Sequence, residues 1–331
     1  MSQGNQSVTL PKMSVRVAAS IDHQLLTEVS ALTKWALKPE ERDDRFDAWA
    51  EEAGASTIDN RDETLVAAVV SDAEGSPLAY VGGTIDAIDS SGTLGLEVLA
   101  HSGDGPNGLT EIAAVTLALD ALDARIEKVG ATRIEFWGRP ARDWHKDLSQ
   151  TFGLDLIRVL FQMRKRLPVQ GKPAPTRAFD RSTDLEQILE INNRAFASHP
   201  DQGALTINDL EATMSQPWFQ PEGIRIHERD GVIAGFCWTK IHRTPPPAAD
   251  LGEIYVLGVD PAFQGQGLGV SLTTAGLKWL HQQGLSVGML YVESNNEPAI
   301  RTYHSLGFDV VRTDKAWARD LNFPVRSKTG N

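Results

Sequence analysis

The chain has 331 residues, 41% hydrophobic and 23% charged, with a formal net charge of −12. That length allows two domains of ordinary size, and the composition fits no disordered, collagenous or coiled-coil class. The acidic balance argues against nucleic-acid or anionic-membrane partners, both of which need a basic surface. A single cysteine leaves no intrachain disulfide framework and no cysteine-based zinc site. No stretch approaches the roughly 18 apolar residues of a spanning helix. A soluble, cytoplasmic, metal-free protein is expected.

Residues 1–13 read as a disordered tail, because Met1–Pro11 is rich in Ser, Gln and Asn and lacks the apolar core of a signal peptide. Alternating apolar residues then predict strands at Leu65–Val70, Leu78–Thr84 and Thr93–Ala100. A helix follows at Leu109–Lys128, then a strand at Arg133–Trp137, a short helix, and a strand at Leu156–Arg166. Three prolines and a glycine within Leu167–Pro175 break both periodicities, so 168–175 reads as a semi-rigid linker. It separates a first domain, 14–167, from a second, 176–331.

In the second half, Thr183-Asp184-Leu185-Glu186 reads as a capping box opening a helix. Strands at Ile224–Glu228 and Val232–Lys240 are joined by the turn Asp230-Gly231. A Pro-rich loop at Thr244–Pro247 leads to a strand at Glu253–Val259. A helix runs from about Leu268 to Gln283, a strand covers Met289–Val292, and a helix at Pro298–Leu306 precedes a last strand from Phe308. The halves look duplicated: Phe152-Gly153-Leu154-Asp155 and Leu306-Gly307-Phe308-Asp309 each stop a helix and start a strand, about half a chain apart.

The strongest local signal is Gln264-Gly265-Gln266-Gly267-Leu268-Gly269, directly after a strand and before a helix. Such a loop turns several backbone N–H groups to one point at the positive end of a helix dipole, which suits a pyrophosphate. It lacks the Gly-Lys-Ser/Thr ending of a Walker loop, and the preceding meander does not fit a Rossmann start. Together with Tyr291-Val292-Glu293-Ser294-Asn295-Asn296, Ala299, Tyr303 and Gly307-Phe308, the loop resembles the GNAT family of acetyl-CoA-dependent N-acetyltransferases. The resemblance implies an α/β (α+β) fold of two tandem GNAT domains, each a mixed, mostly antiparallel sheet flanked by helices. It also implies acetyl-CoA as co-substrate. Leu257, Gly258 and Val259 would hold its acetyl and pantetheine portion. Gln264, Gly265, Gln266, Gly267, Leu268, Gly269 and Val270 would hold its phosphates, and Asn296, Glu297, Pro298, Ala299, Ile300 and Arg301 would flank it.

For the chemistry, Glu253 opens the strand beside the cofactor and is the candidate base for the amine proton. Alternation puts its side chain on one face with Tyr255, Leu257 and Val259. Tyr303, two helical turns after Asn296, is the candidate acid for the departing thiolate. Cys237 reads as a buried structural thiol, and His199 and His242 are placed in loops with structural or solvated roles.

Four stretches, Ala195–Gly203, Phe236–His242, Gly252–Pro261 and Leu290–Phe308, resemble the mycothiol synthases, tandem GNAT enzymes of actinobacteria. That resemblance implies acetylation of the cysteinyl amine of cysteinyl-glucosaminyl-inositol by a monomer. Asp43, Asp201, Lys240, Glu253 and Tyr291 would contact this acceptor. A different amine, such as a polypeptide N-terminus or an aminoglycoside, stays open, as does a non-catalytic CoA sensor. In the first half, Gly103–Gly108 carries an acid and a proline where donors are needed. Leu94 and Ser149 stand opposite Glu253 and Tyr303, so chemistry is expected in the second half only.

Overall fold

The structure, a computed structural model, describes residues 12–18, 23–36, 65–84, 92–101, 109–197, 203–243 and 249–321. The Met1–Pro11 tail, Asp43, the Gly103–Gly108 loop, His199, Asp201 and the Thr244–Pro247 loop lie outside them. The chain forms two compact units, one of residues 1–159 and 314–331, the other of residues 160–313.

In the first unit, strands β1 (Ser14–Val17), β2 (Leu65–Ser71), β3 (Pro77–Thr84) and β4 (Thr93–Ala100) form an antiparallel meander. Strand β5 (Arg133–Gly138) lies parallel to β4. Helix α1 (His23–Ala36) covers one face through Leu25, Val29 and Leu32. Helix α2 (Leu109–Lys128) covers the other through Ala114, Ala118 and Leu122, which pack on Val66, Ala68 and Leu94. A short helix, α3 (Asp143–Thr151), precedes β6 (Asp155–Arg166).

In the second unit, β7 (Arg177–Ala178), β8 (Ile224–Arg229), β9 (Val232–His242) and β10 (Leu251–Val259) run antiparallel in order, and β11 (Val287–Glu293) starts parallel to β10. Helices α4 (Arg181–Ala195) and α5 (Ile207–Met214) pack on one face through Ile188, Ile191, Leu210 and Met214, against Ile224, Phe236 and Trp238. Helix α6 (Leu268–Gln282) and helix α7 (Glu297–Ser305) cover the other face. There Leu272 and Leu277 meet Cys237, Ile254, Leu290 and Val292.

Helix α4 starts earlier than the Thr183 capping box. Its N-cap is Asp180, whose side chain accepts from the Ser182 N–H. Asp184, fully buried, instead takes two hydrogen bonds from Arg177 and one from the Asp180 N–H, so it ties β7 to the helix. Removing Arg177 would leave the Asp184 charge buried without its guanidinium partner.

The two units exchange the chain inside a strand. Leu160–Glu293 through Arg166–Val287 form the ladder between β6 and β11 in the second unit. Strand β12 (Asp309–Asp320) pairs its residues 315–320 with β5 in the first unit, where Trp317 stacks on Phe136 at 5.2 Å. The proline-rich stretch therefore lies inside the second unit. It is also fastened to α6: the Ala174 N–H donates to the Ser271 carbonyl at 2.9 Å, and Lys278 Nζ donates to the Gly171 carbonyl at 3.0 Å. Val169 and Ala174 are buried. In native protein, proteinase K is expected to leave 167–176 uncut at early times. Fragment masses from a digestion time course check this, and early cleavage there would overturn the packing described.

Candidate active site

The site grows from one irregularity in β10. Its register against β9 runs Glu253–Lys240 and Ile254–Thr239, then shifts so that Val256 faces Trp238 and Tyr255 is left as a bulge. A bulge adds twist and bends its strand. Beside it, the parallel ladder to β11 consists of Gly252–Gly288 and Glu253–Met289 and ends there. Beyond Glu253 the two strands part, so the β11-facing edge of Val256–Val259 carries backbone groups that no strand pairs. In the first unit the corresponding ladder of β4 and β5 continues from Thr93–Arg133 to Glu97–Trp137.

The bulge also corrects the expected face pattern. Glu253 shares its face with Lys240, but Leu257 lies opposite Cys237 and Val259 opposite Gly235. Leu257 and Val259 pack with the α6-side core. The side chains therefore alternate around the fork and do not line one face with Glu253.

Past the open edge comes the glycine loop. Gly265 and Gly267 both have φ of +74°, which L side chains rarely adopt, and Gly267 is the N-cap of α6. Leu268, Gly269 and Val270 sit in the first turn, where N–H groups have no carbonyl one turn earlier to bond. A Cβ on Gly265, Gly267 or Gly269 would meet no atom within 4 Å. The glycines thus face open space at a helix N-terminus, a cradle that fits a diphosphate and that side chains would fill. Arg229 bonds Gln266 Oε1, which brings a guanidinium to the rim of the loop. On the other side, Asn296 caps α7 by accepting from the Ala299 N–H at 3.1 Å, and Arg301 pairs with Glu297 at 3.0 Å. The side chains of Asn296, Glu297 and Arg301 thus serve the helix itself.

Glu253 is buried at the fork, 6% exposed. Its Oε2 lies 2.7 Å from His242 Nε2. His242 is not in a loop as the sequence pattern predicts: β9 runs two residues further and carries it in the strand. The signal was available as Lys240-Ile241-His242, which simply continues the alternation. Lys240 holds its ammonium 4.7 Å from the Trp218 ring centroid and 5.9 Å from that of Tyr255. Tyr291 Oη accepts from Gln162 Nε2 at 2.8 Å and from Arg312 Nη2 at 3.2 Å. By register, Lys240, Glu253 and Met289 share a face, and Tyr291 is two residues along from Met289 on that same face. Next to them is a pocket of about 240 Å³ under α4 and α5, with Trp238, Tyr255, Asn192 and Thr213 among its walls.

Tyr303 is 8% exposed, in the α6-side core, edge-on to Phe308. Burial, with Cys237 nearby, raises its pKa above the usual phenol value. It stays protonated throughout the neutral range. Cys237 is fully buried and its thiol is pushed up to about 12, again chiefly by burial, so it is no nucleophile at neutral pH. Among the described residues no group of three or more His, Cys, Asp or Glu side chains is placed to hold a metal ion. Nor is any helix there long and apolar enough to cross a membrane.

The Acetyltransferase (GNAT) family matches residues 185–308. A mycothiol acetyltransferase of Stackebrandtia nassauensis is 37% identical over 77% of this chain and 81% of its own length. The chain belongs to the mycothiol acetyltransferase family. A second relative of that name, from Thermomonospora curvata, is 45% identical over 51% of the chain, and the match spans 60% of that relative's length. The fold is that of a tandem GNAT protein from the clavulanic acid biosynthesis pathway, with a TM-score of 0.60 and 18% identity over 95% of this chain and 100% of that one.

Of the three loop glycines, Gly269 has an ordinary helical backbone and open space before it. Gly269→Leu should therefore leave the melting temperature nearly unchanged while weakening acetyl-CoA binding by about tenfold or more, roughly 1.4 kcal/mol. Calorimetric titration checks it, and unchanged affinity would remove the loop from the cofactor site.

Proposed function

We propose that the chain acetylates the cysteinyl amine of cysteinyl-glucosaminyl-inositol with acetyl-CoA, giving mycothiol and CoA, and that it works as a cytosolic monomer. The observation that carries this reading is the parting of β10 and β11 directly after a buried glutamate, with the glycine cradle at the far end of the same strand. An extended arm bearing amides pairs with the open edge of Val256–Val259 as an added strand would. Its thioester then lies at the fork and its diphosphate at α6.

Attack needs a free amine lone pair. An α-amine has a pKa near 8, against about 10.4 for a lysine side chain, so a carboxylate base suffices. Glu253 takes the amine proton, and Tyr303 supplies one to the departing thiolate. The two come from opposite faces of the sheet: Glu253 from the α4 and α5 side, Tyr303 from the α6 side. That arrangement separates acceptor from cofactor, with the split between the strands as the meeting point.

On the acceptor side, Lys240 and Tyr291 offer donors to a hydroxyl-rich ligand. Tyr291 Oη already accepts from Gln162 and Arg312, so it meets a further partner as a donor. Asp43 and Asp201 complete the proposed set of acceptor contacts. Similarity to mycothiol acetyltransferases supports the sugar-linked amine over a polypeptide N-terminus or an aminoglycoside.

Transfer is confined to the second unit. In the first, β4 and β5 stay paired where β10 and β11 part, Leu94 is wholly buried, and Ser149 Oγ donates to the Lys146 carbonyl. Equilibrium dialysis should find a single tight acetyl-CoA equivalent per chain, and it should vanish in Gly269→Leu. Two equivalents of similar affinity would contradict this.

The deciding experiment is CoA release with a panel of amines: cysteinyl-glucosaminyl-inositol, glucosaminyl-inositol, free cysteine, an aminoglycoside and a peptide. Turnover with the first alone is expected, and equal turnover with the others would refute the acceptor. Glu253→Gln should lose roughly 10²–10⁴ in rate with acetyl-CoA affinity nearly unchanged. Tyr303→Phe should lose more as pH rises towards the thiol pKa of about 8.5, because solvent acid replaces the phenol only at low pH. A wild-type pH profile would exclude Tyr303 as the acid.

A further inference from the structure

His242 has no part in the chemistry above, yet it holds one oxygen of the proposed base. It faces Leu251 across the β9–β10 ladder, and Glu253 faces Lys240, so His242 and Glu253 are diagonal neighbours on one sheet face. The side chains are 12% and 9% exposed, and Nε2 and Oε2 are 2.7 Å apart. Two lone pairs cannot face each other at that distance. Against an ionised carboxylate, the neutral ring must carry its proton on Nε2 and donate.

We propose that His242 is a positioning residue: its Nε2–H occupies Oε2 of Glu253 and so fixes Oε1 as the oxygen that receives the acceptor's proton. The inference rests on the reading of Glu253 as the base. In the step itself, the amine nitrogen bonds the acyl carbon and its proton passes to Oε1. The C–S bond breaks, and the thiolate takes the Tyr303 proton. His242 neither gains nor loses a proton; it limits rotation of the carboxylate. Lys240, directly opposite Glu253, has its ammonium over the Trp218 and Tyr255 rings.

The test measures kcat and both KM values, with cysteinyl-glucosaminyl-inositol as acceptor, for His242→Leu, His242→Asn, His242→Gln, Glu253→Gln and the double variant Glu253→Gln/His242→Leu. Losing the donor should lower kcat by about 10- to 100-fold, the scale of a misplaced catalytic group, with the acetyl-CoA KM unchanged. His242→Gln, whose amide N–H reaches the Nε2 position, should recover most of that loss. His242→Asn, one methylene shorter, should not, and it reports on the donor even where the leucine variant fails to fold. The double variant should be no slower than Glu253→Gln alone, because the histidine acts through that carboxylate. Wild-type kcat in His242→Asn, a loss confined to KM, or multiplying losses in the double variant would overturn the inference. Wild-type turnover in Glu253→Gln would instead overturn the base assignment on which it rests.

Discussion

The proposed chemistry depends on two parallel strands, β10 and β11, failing to stay together. β10 and β11 share two residue pairs and then separate, at the point where the Tyr255 bulge bends β10. A strand edge inside a sheet is normally a liability, since each unpaired backbone group removed from water costs about 1–3 kcal/mol. In the proposed reaction it is a socket: a ligand with amides along an extended arm would offset the cost on binding, and the same parting would leave space for a thioester beside the buried Glu253 carboxylate.

The electrostatics follow from that arrangement. With a net charge of −12, the chain has no general field to attract an anionic cofactor. In the proposed cofactor site attraction is local, from the N–H groups at the start of α6, where glycines would let a diphosphate approach the backbone. On the opposite face the strategy changes to side chains. Lys240 lies over two aromatic rings, Arg312 and Gln162 donate to Tyr291, and His242 bonds Glu253. Backbone donors suit a co-substrate of fixed shape, whereas side-chain donors can be matched to one acceptor.

Much of this was legible in the sequence, and the exceptions have physical causes. β12 begins within one residue of its expected start at Phe308, and the strand–glycine-loop–helix order and the start of α6 follow from local signals a few residues long. The bulge does not. Ile254-Tyr255-Val256-Leu257 alternates poorly whichever way it is read, and only the register against Thr239 and Trp238 shows where the phase slips. His242 lies at the strand end just before the proline run, where the break expected from Thr244–Pro247 leaves the last strand residue undefined. Thr183-Asp184-Leu185-Glu186 matches a capping box in sequence, but Thr183 lies inside the helix: Asp180 caps it by accepting from the Ser182 N–H, and Asp184 is engaged by Arg177 and the Asp180 N–H. The proline stretch broke secondary structure as expected, but nothing in it announces that Val169 and Ala174 are buried.

The traded strands explain why the two halves of the sequence are not two halves of the fold. The second unit needs Leu160–Arg166 from the first repeat to flank β11, the strand from which β10 departs. With that ladder in place β11 is held on one side while its other edge is open, so the gap has a firm wall. The first unit in turn receives residues 315–320 against β5, and Trp317, 4% exposed, stacks there with Phe136 and His145. Its own parallel pair stays closed through Glu97 and Trp137, and no fork forms. The first unit thus keeps a continuous parallel ladder where the second presents an open edge, so the added strand that the proposed function requires has a place in one unit and not in the other.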